Sequence, residues 1–114
     1  MNQRVFAMPF ASIYPLYVEK IERKGRTTAE LDEVLTWLTG YEKAELEAHI
    51  AAGTTLEDFF AQARLTPNAS LITGVICGYR VQDIEDPLMQ KIRWMDKVVD
   101  ELARGKAVEK IQRS

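Results

Sequence analysis

His49 is the sole histidine of the chain, and it lies four residues after Glu45 in Glu45-Leu46-Glu47-Ala48-His49-Ile50. Positions four apart share one face of a helix, so Glu45 could orient the imidazole and His49 could serve as a general base. Aromatic side chains with polar tips stand nearby in the sequence: Tyr14 and Tyr17 follow Phe6 and Phe10, and Trp37 and Tyr41 flank Gly40. Such side chains line ligand pockets and interfaces. Arg26, or Lys20, supplies a cation for an anionic ligand. Tyr14, Tyr17, Arg26, Trp37, Tyr41 and His49 are therefore the candidate ligand-binding set. The plainer reading makes His49 a surface residue of an acidic helix and the aromatics the core of a small domain.

Other reactive residue types have simpler explanations. Cys77 sits among Val75, Ile76 and Tyr79 with only Arg80 as a basic neighbour, which reads as a buried structural cysteine. Asp83, Glu85 and Asp86 offer oxygen ligands for a divalent cation, yet Asp86 before Pro87 already fits a helix cap, and acids suit a helix start. Lys20, Arg23, Lys24 and Arg26 suit the C-terminal end of a helix. One His and one Cys cannot build a zinc site by themselves. Gly74 and Gly78 lack the Lys-Ser/Thr pair of a phosphate loop and the third glycine of a dinucleotide fingerprint. No metal and no cofactor are implied.

The chain of 114 residues carries 46% apolar and 28% charged residues with a net charge of −2. That composition belongs to a folded globular chain. Between Thr28 and Asp58 there are eight acidic residues and one basic residue, Lys43. Leu31 to Ile50 has the rough spacing of a helix-turn-helix, but its second helix would set Glu42, Glu45 and Glu47 beside phosphates. Nucleic-acid binding is disfavoured, and what remains for it is the first helix end with Arg104, Lys106, Lys110 and Arg113. A single cysteine precludes an internal disulfide, and no stretch approaches the ~18 apolar residues of a membrane helix. No signal-peptide run opens the sequence, and the expected location is the cytoplasm, away from membranes.

Hydrophobic spacing and capping signals set the elements that must position these residues. Arg4 to Phe10, with Pro9, reads as an extended entry arm. Ser12 caps a first helix over about Ser12–Lys24, with Pro15 in its first turn and Tyr14, Tyr17, Val18 and Ile21 along its apolar stripe. Thr27-Thr28-Ala29-Glu30 is a capping box that opens a helix over Thr28–Thr39, stopped by Gly40. A third helix runs Glu42–Ala52, stopped by Gly53. Thr54-Thr55-Leu56-Glu57 opens a short fourth that ends before Pro67. Asp86-Pro87 starts a long helix to Arg104, and Ala107 to Gln112 forms a last turn.

Asn68 to Val81 is ambiguous. Val75, Ile76, Cys77 and Tyr79 favour strands. Ser70, Gly74 and Gly78, however, recur every four positions, and Leu71/Ile72, Val75/Ile76 and Tyr79 follow the same period. The spacing favours a helix with one smooth side, at which Ser70, Gly74 and Gly78 are candidate interface residues. The expected fold is all-α, or mostly α: a compact bundle of about five to six helices with an extended N-terminal arm, forming one domain over residues 1–114.

Phe6-Ala7-Met8-Pro9-Phe10-Ala11-Ser12 with Tyr14-Pro15, Lys24-Gly25-Arg26-Thr27, Trp37-Leu38-Thr39-Gly40-Tyr41, Phe59-Phe60-Ala61-Gln62-Ala63, Gly74-Val75-Ile76-Cys77-Gly78, Ile84-Glu85-Asp86-Pro87-Leu88-Met89-Gln90 and Asp100-Glu101-Leu102-Ala103 together resemble an uncharacterised bacterial family, domain of unknown function 2200. The resemblance runs nearly the whole chain. It implies a short prokaryotic protein and supplies no activity and no catalytic residues. Three functions follow from the residues. The first is a cytoplasmic, non-enzymatic interaction protein that self-associates as a homodimer through the smooth face. The second is a binder of a small anionic ligand, or a modest enzyme, with an aromatic pocket. The third, nucleic-acid binding, ranks last.

Overall fold

The Glu30 backbone N–H donates to Thr27 Oγ1 at 3.2 Å, and Thr27 N–H donates back to the Glu30 carboxylate at 3.0 Å. This reciprocal box satisfies two amides that the helix itself leaves open, and it starts α3 (Thr28–Thr39). Similar signals start three other helices. Glu42 N–H donates to Glu45 Oε1 at 2.8 Å at the head of α4 (Lys43–Ala52). Thr55 accepts from Asp58 N–H at 3.2 Å ahead of α5 (Leu56–Gln62). Asp86 accepts from Met89 N–H at 2.9 Å, with Pro87 in the first helical position of α6 (Pro87–Ala103). Gly40 and Gly53 end α3 and α4 in the left-handed conformation. A last turn, α7, covers Val108–Ile111.

The computed structural model describes residues 4–113, and among these it is mostly α, with seven α-helices and one two-stranded hairpin. The N-terminal arm is not extended throughout. Arg4–Ala7 forms a helical turn, α1, Met8 bends, and only Pro9 is extended. There Pro9 bridges antiparallel to Thr55, Phe10 N–H donates to Thr54 O at 2.8 Å, and Leu56 N–H donates to Met8 O at 2.8 Å. This bridge fixes where the next helix begins, so α2 spans Phe10–Glu22 and starts after Pro9 rather than at Ser12. Pro15 consequently lies inside the helix, beyond its first turn.

The expected helix over Asn68–Val81 does not form. A 3₁₀ turn covers Pro67–Leu71, β1 (Val75–Ile76) pairs antiparallel with β2 (Tyr79–Arg80), and a second 3₁₀ turn covers Val81–Asp83. Gly74, Cys77 and Gly78 have φ of +111°, +52° and +81°, which no α-helix accommodates. The four-residue glycine period marks the base and the tip of a hairpin. The smooth face of Ser70, Gly74 and Gly78 is therefore absent, and with it the basis for treating them as one interface. Ile72 and Val81, either side of the hairpin, are buried and anchor it.

α6 is the central element. It packs on α2, α3, α5 and α7, and its Ile92, Met95, Val99 and Leu102 join Ile21 of α2, Leu31, Leu35 and Leu38 of α3 and Phe59 of α5 in one core. Arg26 ties the helix ends together, donating through Nη1 to the carbonyls of Leu102 at 3.1 Å and Lys106 at 3.0 Å. No helix among the described residues is long and apolar enough to cross a membrane.

Candidate functional site

One face of α6 holds the hairpin. Gln90 Nε2 donates to Val81 O at 3.0 Å, the Arg93 guanidinium lies 5.4 Å from the centre of the Tyr79 ring, and the stem of Lys97 lies against Gly74. Residues 90, 93 and 97 share a stripe because helical positions three and four apart are neighbours. The geometry leaves a pocket of about 590 Å³ between the hairpin, the loop before α6 and the first turns of α6. Tyr79, Ile84 and Met89 give it apolar walls, and Arg80 and Arg93, with Asp83, Glu85 and Asp86, give it charge. That size and mixture suit a small organic ligand.

Arg93 is held from behind. Its Nη1 donates to Asp96 Oδ2 at 2.9 Å, and the buried Tyr17 hydroxyl donates to the other carboxylate oxygen, Oδ1, at 2.6 Å. Burial first, then the charge of Asp96 and its hydrogen bond, push the Tyr17 phenol well above its ordinary pKa of 10.0, so it stays a donor. Among the described residues the Arg93 side chain makes no other hydrogen bond, which leaves Nη2 unpaired, and its Nε is buried without an acceptor. A guanidinium nitrogen that is held on one side and unpaired on another can receive a carboxylate. The pocket's other charges are committed, with one exception. Arg80 pairs with Asp83 at 3.3 Å and Asp86 caps α6, whereas the exposed Glu85 has no partner among the described residues.

The sequence candidates do not converge on one site. Tyr14, Tyr41 and His49 meet around Phe10 and Phe59: ring centres lie 5.8 Å apart for Phe10–Tyr14, 5.0 Å for Tyr41–Phe59 and 4.7 Å for Tyr41–His49. Their polar ends are engaged. Tyr14 donates to Asp32 at 2.5 Å, Tyr41 to the carbonyl of Phe59 at 2.5 Å, and His49 Nδ1 pairs with Thr54 Oγ1 at 2.9 Å. Glu45 does not orient His49; its carboxylate takes Glu42 N–H and Arg64. Tyr17 belongs to the Arg93 network instead. Arg26 clamps helix ends and bonds Glu30 through two nitrogens, and Trp37 is half-buried against the core. Lys20 pairs with Asp100 at 3.1 Å.

Sequence reasoning did not single out Arg93 or Tyr79 as ligand residues, and it weighed Glu85 only as an oxygen ligand for a cation. The available signal was the run Val75-Ile76, Cys77-Gly78, Tyr79-Arg80, a two-residue loop ending in Gly between strand formers, which marks a hairpin. Cys77 occupies the first loop position and is exposed, not buried.

A model of a family described as an uncharacterized protein conserved in bacteria, DUF2200, matches residues 4–113. The chain belongs to that family. It is also similar to a solved structure, the crystal structure of uncharacterized protein SP1917, with 44% identity, a TM-score of 0.91, and coverage of 97% of this chain and 92% of that one. A comparison with curated proteins found no match.

Proposed function

We propose that this DUF2200 chain is a small-ligand binding protein whose hairpin–α6 pocket receives an organic carboxylate on Arg93. The supporting observation is that Arg93 lines the pocket with its Nη1 held by Asp96 and its Nη2 in no hydrogen bond among the described residues. Asp96 and Tyr17 hold the guanidinium still, so little order is lost on binding. A cytoplasmic setting is part of this reading, consistent with a lone thiol, Cys77, left exposed.

The test is a titration of the ¹⁵N-labelled protein with straight-chain and branched carboxylates of four to eight carbons. Saturable shifts centred on Tyr79, Ile84 and Met89, lost in Arg93→Gln, support the reading. An absence of saturable shifts in the unmodified protein ends it.

A second reading, self-association, rests on the hairpin rather than on a glycine face. Leu71, Val75 and Tyr79 are 50%, 57% and 55% exposed, so large apolar side chains concentrate on one short segment. Light scattering on the protein and on Val75→Glu distinguishes a dimer that the substitution splits from a monomer in both.

A further inference from the structure

The pocket carries two uncommitted charges of opposite sign. On α6, Arg93 lines the cavity with Nη2 in no hydrogen bond among the described residues. In the loop before α6, the exposed Glu85 has a carboxylate with no cation among the described residues, while its neighbours Asp83 and Asp86 are committed to Arg80 and to Met89 N–H. Tyr79, Ile84 and Met89 supply apolar surface in the same cavity of about 590 Å³. A purely anionic ligand would leave Glu85 beside it, unneutralised and repelling. A purely cationic one would leave the Arg93 donor orphaned. A molecule that carries both charges and an apolar side group satisfies all three features at once.

Resting on the carboxylate reading above, we propose that the ligand is a small zwitterion built like an α-amino acid with an apolar side chain. Its carboxylate is received by Arg93, its ammonium group by Glu85, and its side chain by Tyr79, Ile84 and Met89. Charge matching at both ends favours the zwitterion over a ligand lacking one charge by the modest margin of an ion pair near the surface.

The experiment compares leucine, methionine and phenylalanine with their deamino acids and with the matching amines, by amide shift titration on the full chain. The expected result is that at least one amino acid binds about threefold to fivefold more tightly than its deamino acid, the range of an exposed ion pair. Glu85→Gln removes that advantage, weakening the amino acid while the deamino acid, relieved of the repulsion, binds at least as tightly as before. Deamino acids that bind as tightly as the amino acids overturn the zwitterion inference while the carboxylate reading stands. Binding of the amines alone overturns both, as does the absence of saturable shifts with every compound.

Discussion

The Tyr17 hydroxyl reaches Asp96 Oδ1 at 2.6 Å, joining residues 79 apart in sequence across the α2–α6 contact. The same carboxylate takes Arg93 through its other oxygen. Removing the hydroxyl leaves the ring's packing intact and strips one donor from Asp96. Tyr17→Phe is expected to cost about 1–2 kcal/mol, the range for a hydrogen bond to a charged group. In urea the midpoint falls with an unchanged slope. Affinity for a carboxylate falls with it, whereas Tyr14→Phe, on the far network with Asp32, leaves that affinity alone.

Cys77 and Gly78 form the two-residue loop between β1 and β2 with both φ positive. Glycine adopts this conformation freely and asparagine tolerates it, but a Cβ of any other kind is strained there. Cys77→Asn is expected to stabilise the protein by about 0.5–1 kcal/mol, read as a higher thermal midpoint. A lower midpoint would mean that the thiol makes a contact worth more than the strain.

Gly40 and Gly53 both end helices at positive φ, yet their surroundings differ. A Cβ at Gly53 meets open space, while one at Gly40 would lie 2.3 Å from the Arg64 carbonyl oxygen. The chain after α5 crosses the end of α3 here, with Arg64 N–H on Thr39 O at 2.8 Å and Thr66 N–H on Leu38 O at 3.1 Å. Gly53→Ala is expected to cost about 1–2 kcal/mol, the left-handed penalty alone. Gly40→Ala must also displace backbone and is expected to cost clearly more, by the same denaturation assay.

Stability falls at both ends of the pH range. The Arg26 guanidinium, and after it Thr27 N–H, hold the Glu30 carboxyl down to about 2 from 4.5. Asp100 is also depressed: burial opposes it, but Lys20 and Arg104 prevail. A depressed carboxyl contributes stability above its unfolded value and loses it as pH falls towards the folded one, so the acid limb begins below about pH 4.5. Burial, then Asp32, raises Tyr14; burial, then Asp96, raises Tyr17; burial, then Glu45, raises Tyr41. Raised phenols contribute fully below their unfolded pKa of 10.0 and lose that contribution as pH climbs past it. Midpoints measured from pH 2 to 12 should trace a plateau with two falling limbs, and Glu30→Gln should flatten the acid one.

Where a local signal and the tertiary structure agree, the chain is legible. The Thr27–Glu30 box, Thr55, Asp86-Pro87 and the glycines at 40 and 53 bound their helices as expected, because each cap satisfies its own helix end without distant help. The start of α2 was not legible, since it depends on the bridge between Pro9 and Thr55, far apart in sequence. The segment from 68 to 81 misleads because glycines four apart suit a helix by count and a hairpin by conformation. Only backbone sign tells them apart. The Arg93 pocket was hidden for the same reason: it exists only once Tyr79 folds back over α6. His49 and the tyrosines were chosen for chemistry, and most of their polar atoms are consumed by Thr54, Asp32 and the Phe59 carbonyl.

The dependence of α2 and α3 on α6 has a consequence during synthesis. Ile21 and Leu31 emerge from the ribosome early, yet the helix that covers them begins at Pro87, and Arg26 closes on carbonyls as late as Lys106. Until that stretch is translated, the nascent chain carries bare apolar stripes on its first helices. The fold is completed only after that stretch has emerged, and in the interval before it the chain is most exposed to chaperones and to sticking to other nascent chains.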